Sequence, residues 1–161
     1  MDYKKLFDLT GKVAVVTGGT GYLGSENVKI LKDFGATVVN ADIAAAETRW
    51  AKDEEGAGDM FVACDVSSAE SIAQCFKTVA EKYGKIDILV NCAAFGAGYG
   101  KGSQLEFMED AVFNKGLDGT IGATFRGIRE VVPYMKENGG SIINYCSMYG
   151  QIGRASCRER V

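Results

Sequence analysis

Short apolar runs alternating with amphipathic stretches predict an α/β chain built on a doubly wound parallel sheet. The runs are too short for helices, and the stretches between them repeat apolar residues at helical intervals and stop at glycines. At 161 residues the chain has the length of one ordinary domain and can bury a core.

The elements follow in order. Val13–Val16 is an apolar run that breaks at glycines and reads as a buried first strand. Tyr22–Phe34 follows as a helix, with Leu23, Val28, Leu31 and Phe34 at helical intervals and Gly35 as its stop. Thr37–Ala41 is the second strand, Ala44–Lys52 a helix ending in the polar stretch Asp53–Asp59, and Met60–Ala63 the third strand. Ser67-Ser68-Ala69-Glu70 predicts a capping box, with Ser67 capping a helix that runs to Tyr83 and Glu70 reaching back. Gly84 ends that helix, and Ile86–Val90 is the fourth strand, flowing into Asn91-Cys92-Ala93-Ala94. The glycine-rich Phe95–Gly102 is a loop, followed by helical segments over Gln104–Asn114 and Leu117–Lys136. Gly139-Gly140 then turns the chain into a fifth strand, Ser141–Tyr145. Gly116, Gly119 and Gly122 each cost a helix interior about 1 kcal/mol against alanine. Their spacing predicts either a face that another backbone or a ligand approaches closely, or tight helix–sheet packing.

Composition narrows the partners. A net charge of -3 with no long basic run argues against nucleic acid or an anionic membrane. The N-terminus has no apolar signal core, and no stretch approaches a membrane span. The sequence has no histidine, and Cys64, Cys75, Cys92, Cys146 and Cys157 show neither a C-x-x-C pair nor metal-ligand spacing. A zinc site and a histidine-based triad are therefore excluded, and no metal is expected. Reduced thiols and a cytoplasmic location are the expectation. The single proline, Pro133, is low for a complete domain of this size.

Thr17-Gly18-Gly19-Thr20-Gly21-Tyr22-Leu23-Gly24 lies between the first strand and its helix, the context a dinucleotide-binding turn requires. Gly18 permits the tight turn, Gly21 lets the backbone approach a pyrophosphate, and Gly24 lets the helix pack closely. The free N–H groups at the helix start, from Tyr22 and Leu23 onward, would receive the phosphate charge. Asp42 follows 18 residues after Gly24, at the end of the second strand. A carboxylate there accepts hydrogen bonds from both adenosine ribose hydroxyls and repels a 2′-phosphate. With no basic residue in the turn or just after Asp42, NAD is expected over NADP.

These residues, with Leu9-Thr10-Gly11-Lys12, Cys64-Asp65-Val66, Asn91-Cys92-Ala93-Ala94 and Ser141-Ile142-Ile143-Asn144-Tyr145-Cys146-Ser147, resemble the short-chain dehydrogenase/reductase family over residues 6 to about 150. The resemblance implies a Rossmann sheet of order 3-2-1-4-5, lacking its last strands on the C-terminal side. It implies that Asp65 and Val66 flank the adenine, Asn91 steadies the central strand, Ala93 lies near the cofactor ribose, and Ser147 orients the substrate oxygen. It also implies an alcohol, polyol or sugar substrate, and a homodimer or homotetramer pairing through the Leu117–Met135 helix and a helix absent from this chain. Three departures stand out. Tyr22 occupies the middle glycine position of the compact branch, so the turn has the T-G-x-x-G-x-x-G spacing of the extended branch, which contains sugar-nucleotide epimerases. Ala94 replaces a glycine, and Thr120 stands where an asparagine usually organises a proton relay.

The family's proton-transfer pair is a tyrosine with a lysine four residues later. None of the seven tyrosines, at 3, 22, 83, 99, 134, 145 and 149, has one. The dehydrogenase domain is expected to end near Gln151, before that pair, leaving an inactive fragment of an enzyme or, in a different class, an NAD-sensing protein without the base. Ile152–Val161 has no apolar periodicity and carries as many arginines, three, as the whole preceding chain. It reads as a translation of a common sequencing adapter and is expected to be non-native. Without it the net charge is -5, since its three arginines outnumber Glu159 by two.

Overall fold

The computed structural model describes residues 3–43, 58–95 and 104–146. The expected helix Ala44–Lys52, most of the loop Phe95–Gly102, Ser147, Tyr149 and the tail Ile152–Val161 lie outside these residues. A short helix α1 (Tyr3–Leu6) precedes β1 (Val13–Thr17), α2 (Tyr22–Asp33), β2 (Thr37–Asp42) and β3 (Met60–Ala63). Then come α3 (Ala69–Tyr83), β4 (Ile88–Asn91), α4 (Asp110–Leu117), α5 (Ala123–Met135) and β5 (Ser141–Asn144). The strands form one sheet in the order β3-β2-β1-β4-β5, and every pairing is parallel.

Alternation along each strand divides the core in two. Ala14 and Val16 of β1, Val38 of β2 and Ile88 and Val90 of β4 point to one face, where Val28 and Leu31 of α2 cover them. Val13 and Val15, Val39 and Ala41, and Leu89 point to the other, against Ile72, Phe76 and Val79 of α3 and Val131 and Met135 of α5. The N-terminal ends of β1 and β4 are joined by Asp87, whose carboxylate accepts from the Val13 N–H at 2.8 Å and lies 3.4 Å from Lys12 and 3.0 Å from Lys85. Burial alone would raise Asp87, but the Val13 N–H and the two ammonium groups outweigh it and hold the carboxyl below its ordinary range.

Several element ends differ from expectation. The fourth strand is Ile88–Asn91 rather than Ile86–Val90, because Ile86 and Asp87 precede the paired ladder. The cap of α3 is Ser68, whose hydroxyl accepts from the Ser71 N–H at 3.2 Å. Ser67 instead donates its hydroxyl and N–H to Asp65, at 2.7 and 2.9 Å. After a 3-10 turn at Leu105–Phe107, α4 continues into α5 through a π turn at Asp118–Gly122, where a break before Leu117 was expected. Of the three glycines there, Gly116 faces open space, while a Cβ on Gly119 would lie 2.5 Å from that of Phe95. On Gly122 it would meet only side chains of the same helical stretch, Asp118 and Arg126. Among the described residues the closest approach to these glycines is thus the Phe95 side chain on Gly119.

Candidate functional site

The strand order reverses between β1 and β4, and crevices of parallel sheets open at such a point, beyond the C-terminal strand ends. A cleft of about 1000 Å³ lies there. Its walls include Gly18, Thr20, Gly21, Tyr22, Leu23, Gly24, Asp42, Asp65, Val66 and Ala93, all from the turn and motifs that the sequence singles out for a dinucleotide. Asn91 is not among them. It is buried beneath the cleft, donates from Nδ2 to Asn144 at 2.8 Å, and fills the space where a Cβ on Gly127 would sit. That placement ties β4 to β5 and to α5.

The turn is held from below by Thr17. Its buried hydroxyl accepts from the Cys92 and Ala93 N–H groups at 3.2 and 3.4 Å and donates to the Val90 carbonyl at 3.4 Å. Gly18 has φ +68° and its missing Cβ would lie 2.8 Å from Ala93 Cα, so both conformation and space require glycine. On Gly24 a Cβ would collide with the Gly18 carbonyl oxygen. Tyr22 begins α2 in an outward position, 62% exposed, and no described non-glycine residue has positive φ. A side chain in place of the compact branch's middle glycine therefore brings no backbone strain.

Among the described residues Asp42 is held by three donors. Its Oδ2 accepts from the Thr20 N–H at 3.1 Å and the Thr20 hydroxyl at 2.6 Å, and its Oδ1 accepts from the Ile43 N–H at 2.7 Å. Across the cleft the Ser67 hydroxyl, then its N–H, hold the Asp65 carboxyl below the ordinary range, with Arg126 and Lys115 adding to the effect. Burial, and secondarily the Asp42 charge, push the Cys92 thiol up, which keeps it a protonated wall residue at neutral pH.

Sequence reasoning did not single out Ile43, Cys64, Phe95, Lys115 or Asp118 as cleft residues. Lys115 lies over the Phe95 ring, 4.7 Å from its centre, and Asp118 pairs with Arg126. Both reach the cleft from the stretch that joins α4 to the π turn, far in sequence from the glycine turn, and no local spacing links the two. Asn40 was also missed: it is fully buried under the turn, and its amide fills the space a Cβ on Gly19 would need. Thr120 lies in the π turn, where its carbonyl accepts from the Thr124 hydroxyl at 3.0 Å. Among the described residues no three acidic, cysteine or histidine side chains gather as a metal site, and no helix is long and apolar enough to cross a membrane.

A dinucleotide fits this arrangement. The turn is stripped of side chains where backbone approach is closest, and it leads into the start of α2, where the N–H groups of a helix end favour an anion. The comparisons agree. The family model for short chain dehydrogenase matches residues 12–158. A 3beta-hydroxysteroid dehydrogenase of Mediterraneibacter gnavus is 34% identical over 154 residues, which cover 93% of this chain and 54% of the relative. A crystal structure of NAD+-bound xylitol dehydrogenase superposes with a TM-score of 0.78 at 26% identity, covering 90% of this chain and 56% of the other. A 3-ketoacyl-(acyl-carrier-protein) reductase from Brucella melitensis complexed with NADH gives 0.77 at 30% identity, covering 88% and 59%. The chain spans little more than half the length of these proteins. From the glycine turn to β5, the fold, the cleft and the matched residues place the chain in the short-chain dehydrogenase family.

Proposed function

We propose that the protein is the cofactor-holding part of an NAD(H)-dependent oxidoreductase acting on the CH–OH/C=O group of a polyol, sugar or similar alcohol. The observation that carries this reading is the convergence of the glycine turn, Asp42, Asp65, Val66 and Ala93 on one cleft at the sheet's switch point. NAD(H) supplies a hydride acceptor or donor at its nicotinamide ring. The bare turn and the start of α2 hold the pyrophosphate, Asp42 takes the adenosine ribose, and Asp65 and Val66 bracket the adenine. Ser147, outside the described residues, is the group assigned to the substrate oxygen. Proton exchange needs a further group with a pKa near the working pH, and no tyrosine in the chain has a lysine four residues on. The chain by itself is therefore read as binding without turnover. That same observation favours a second reading, a non-catalytic NAD sensor.

A homodimer or homotetramer is supported by Phe113, Leu117, Ile121 and Phe125, exposed at four-residue intervals along α4, the π turn and α5. Among the described residues, free thiols at Cys64, Cys75 and Cys92 support a reducing, cytoplasmic setting. Titration of the folded 161-residue chain with NADH, followed by nicotinamide fluorescence, is expected to saturate, with NADPH binding more weakly. No saturable NADH signal, or tighter NADPH binding, overturns the cofactor assignment.

A further inference from the structure

We infer that Thr20 sets the dinucleotide preference by fixing the orientation of the Asp42 carboxylate, acting as a positioning residue for it; the inference rests on the NAD reading above. Asp42 ends β2, and nothing in strand pairing fixes its side-chain torsions. Thr20 supplies two of the three donors that do, both to Oδ2, the hydroxyl at 2.6 Å and the N–H at 3.1 Å. Thr20 is itself 3% exposed and belongs to the turn that would carry the pyrophosphate, so the carboxylate is tied to the same backbone. Carboxylate oxygens together offer about four acceptor positions. Among the described residues three are filled, and the fourth position is on Oδ1. Asp42 can thus accept one ribose hydroxyl with its three bonds intact, where the sequence suggested two. A carboxylate held by three donors cannot swing away to admit a 2′-phosphate, so its repulsion falls in full on NADP(H). The orientation needs no further ordering when the ribose arrives, which is the physical source of the affinity gain.

The test uses the full chain and paired NADH and NADPH fluorescence titrations. Thr20→Val keeps the size and the N–H but removes the hydroxyl. It is expected to weaken NADH about tenfold, the effect of one charge-assisted hydrogen bond, and NADPH by less than about threefold, so the preference falls. Thr20→Ser keeps the hydroxyl and is expected to restore most of it. Asp42→Ala separates this inference from the reading beneath it. It is expected to abolish the preference, and adding Thr20→Val to it should then change nothing further. If Asp42→Ala lowers the preference but Thr20→Val leaves the ratio unchanged, including by weakening both dinucleotides equally, the role of Thr20 is overturned. A ratio indifferent to Asp42→Ala, or a parent chain without preference, overturns the NAD reading and this inference with it.

Discussion

Strands β4 and β5 lie side by side in the sheet, yet every residue of β4 is buried and three of the four in β5 are exposed. Val90 and Ile143 are direct register partners on the same face, with exposures of 1% and 48%. Their local sequences are alike, Ile-Leu-Val-Asn and Ser-Ile-Ile-Asn. What separates them is position. β4 has β1 on one side and β5 on the other, with α5 across one face and the α2 cluster across the opposite one. β5 pairs only with β4 among the described residues, and just past its end the Asn27 amide of α2 donates to the Tyr145 hydroxyl at 2.8 Å and accepts from it at 3.0 Å. Burial in this sheet is therefore a property of topology, and substitutions of similar chemistry should have unequal effects on the two strands.

The largest effect belongs to Leu89→Ala. Leu89 is fully buried between β1 and the α3/α5 layer, and truncation leaves a cavity the helices cannot close. A loss of about 2–5 kcal/mol is expected in urea unfolding. A loss below about 1 kcal/mol would mean that β4 is no better packed than its neighbour.

Next comes Asp87→Asn, at the foot of the same strand. The side chain is 11% exposed and carries the Val13 bond and both lysine pairs. Weakening these interactions is expected to cost about 1.5–3 kcal/mol at pH 7. The sign with pH follows from the lowered folded-state carboxyl. The stabilisation is fully present above the unfolded value, about 3.9, and is lost as pH falls through the lower folded value. Unfolding curves of parent and variant should thus differ at neutral pH and converge in strong acid. A constant difference across that window would assign the effect to packing rather than to charge.

The same contrast between local and positional information decides what the sequence discloses. β3 was legible to the residue, and so were the tight turn at Gly18 and the close packing at Gly24, because a positive φ and an approach within six residues are local demands. The helix cap was misplaced by one residue because two serines compete for it, and Asp65 captures Ser67. The π turn was missed. A row at 113, 117, 121 and 125 repeats every four residues and drifts around a 3.6-residue helix, and one wider turn brings it back toward a single face. The Thr20–Asp42 bonds and the Asn91–Gly127 contact join residues 22 and 36 positions apart, and only the folded turn and helix crossing bring them together.

The smallest effect is expected from Ile143→Thr, on the exposed face of β5. Nearly half of Ile143 is already in solvent, threonine keeps the branched shape a strand favours, and the new hydroxyl stays hydrated. A change within about 0.5 kcal/mol is expected in the same urea experiment. The chain has the resources to make this residue costly: Val90 beside it, Ile142 entering the α3/α5 core on the opposite face, and the Tyr145–Asn27 contact two residues on. A loss above about 1.5 kcal/mol would therefore show that this face is covered in solution, and its dependence on protein concentration would separate a second copy from a segment of the same chain. A near-zero change leaves the contrast with β4 intact and makes the edge of the sheet, rather than its composition, the reason two similar strands differ.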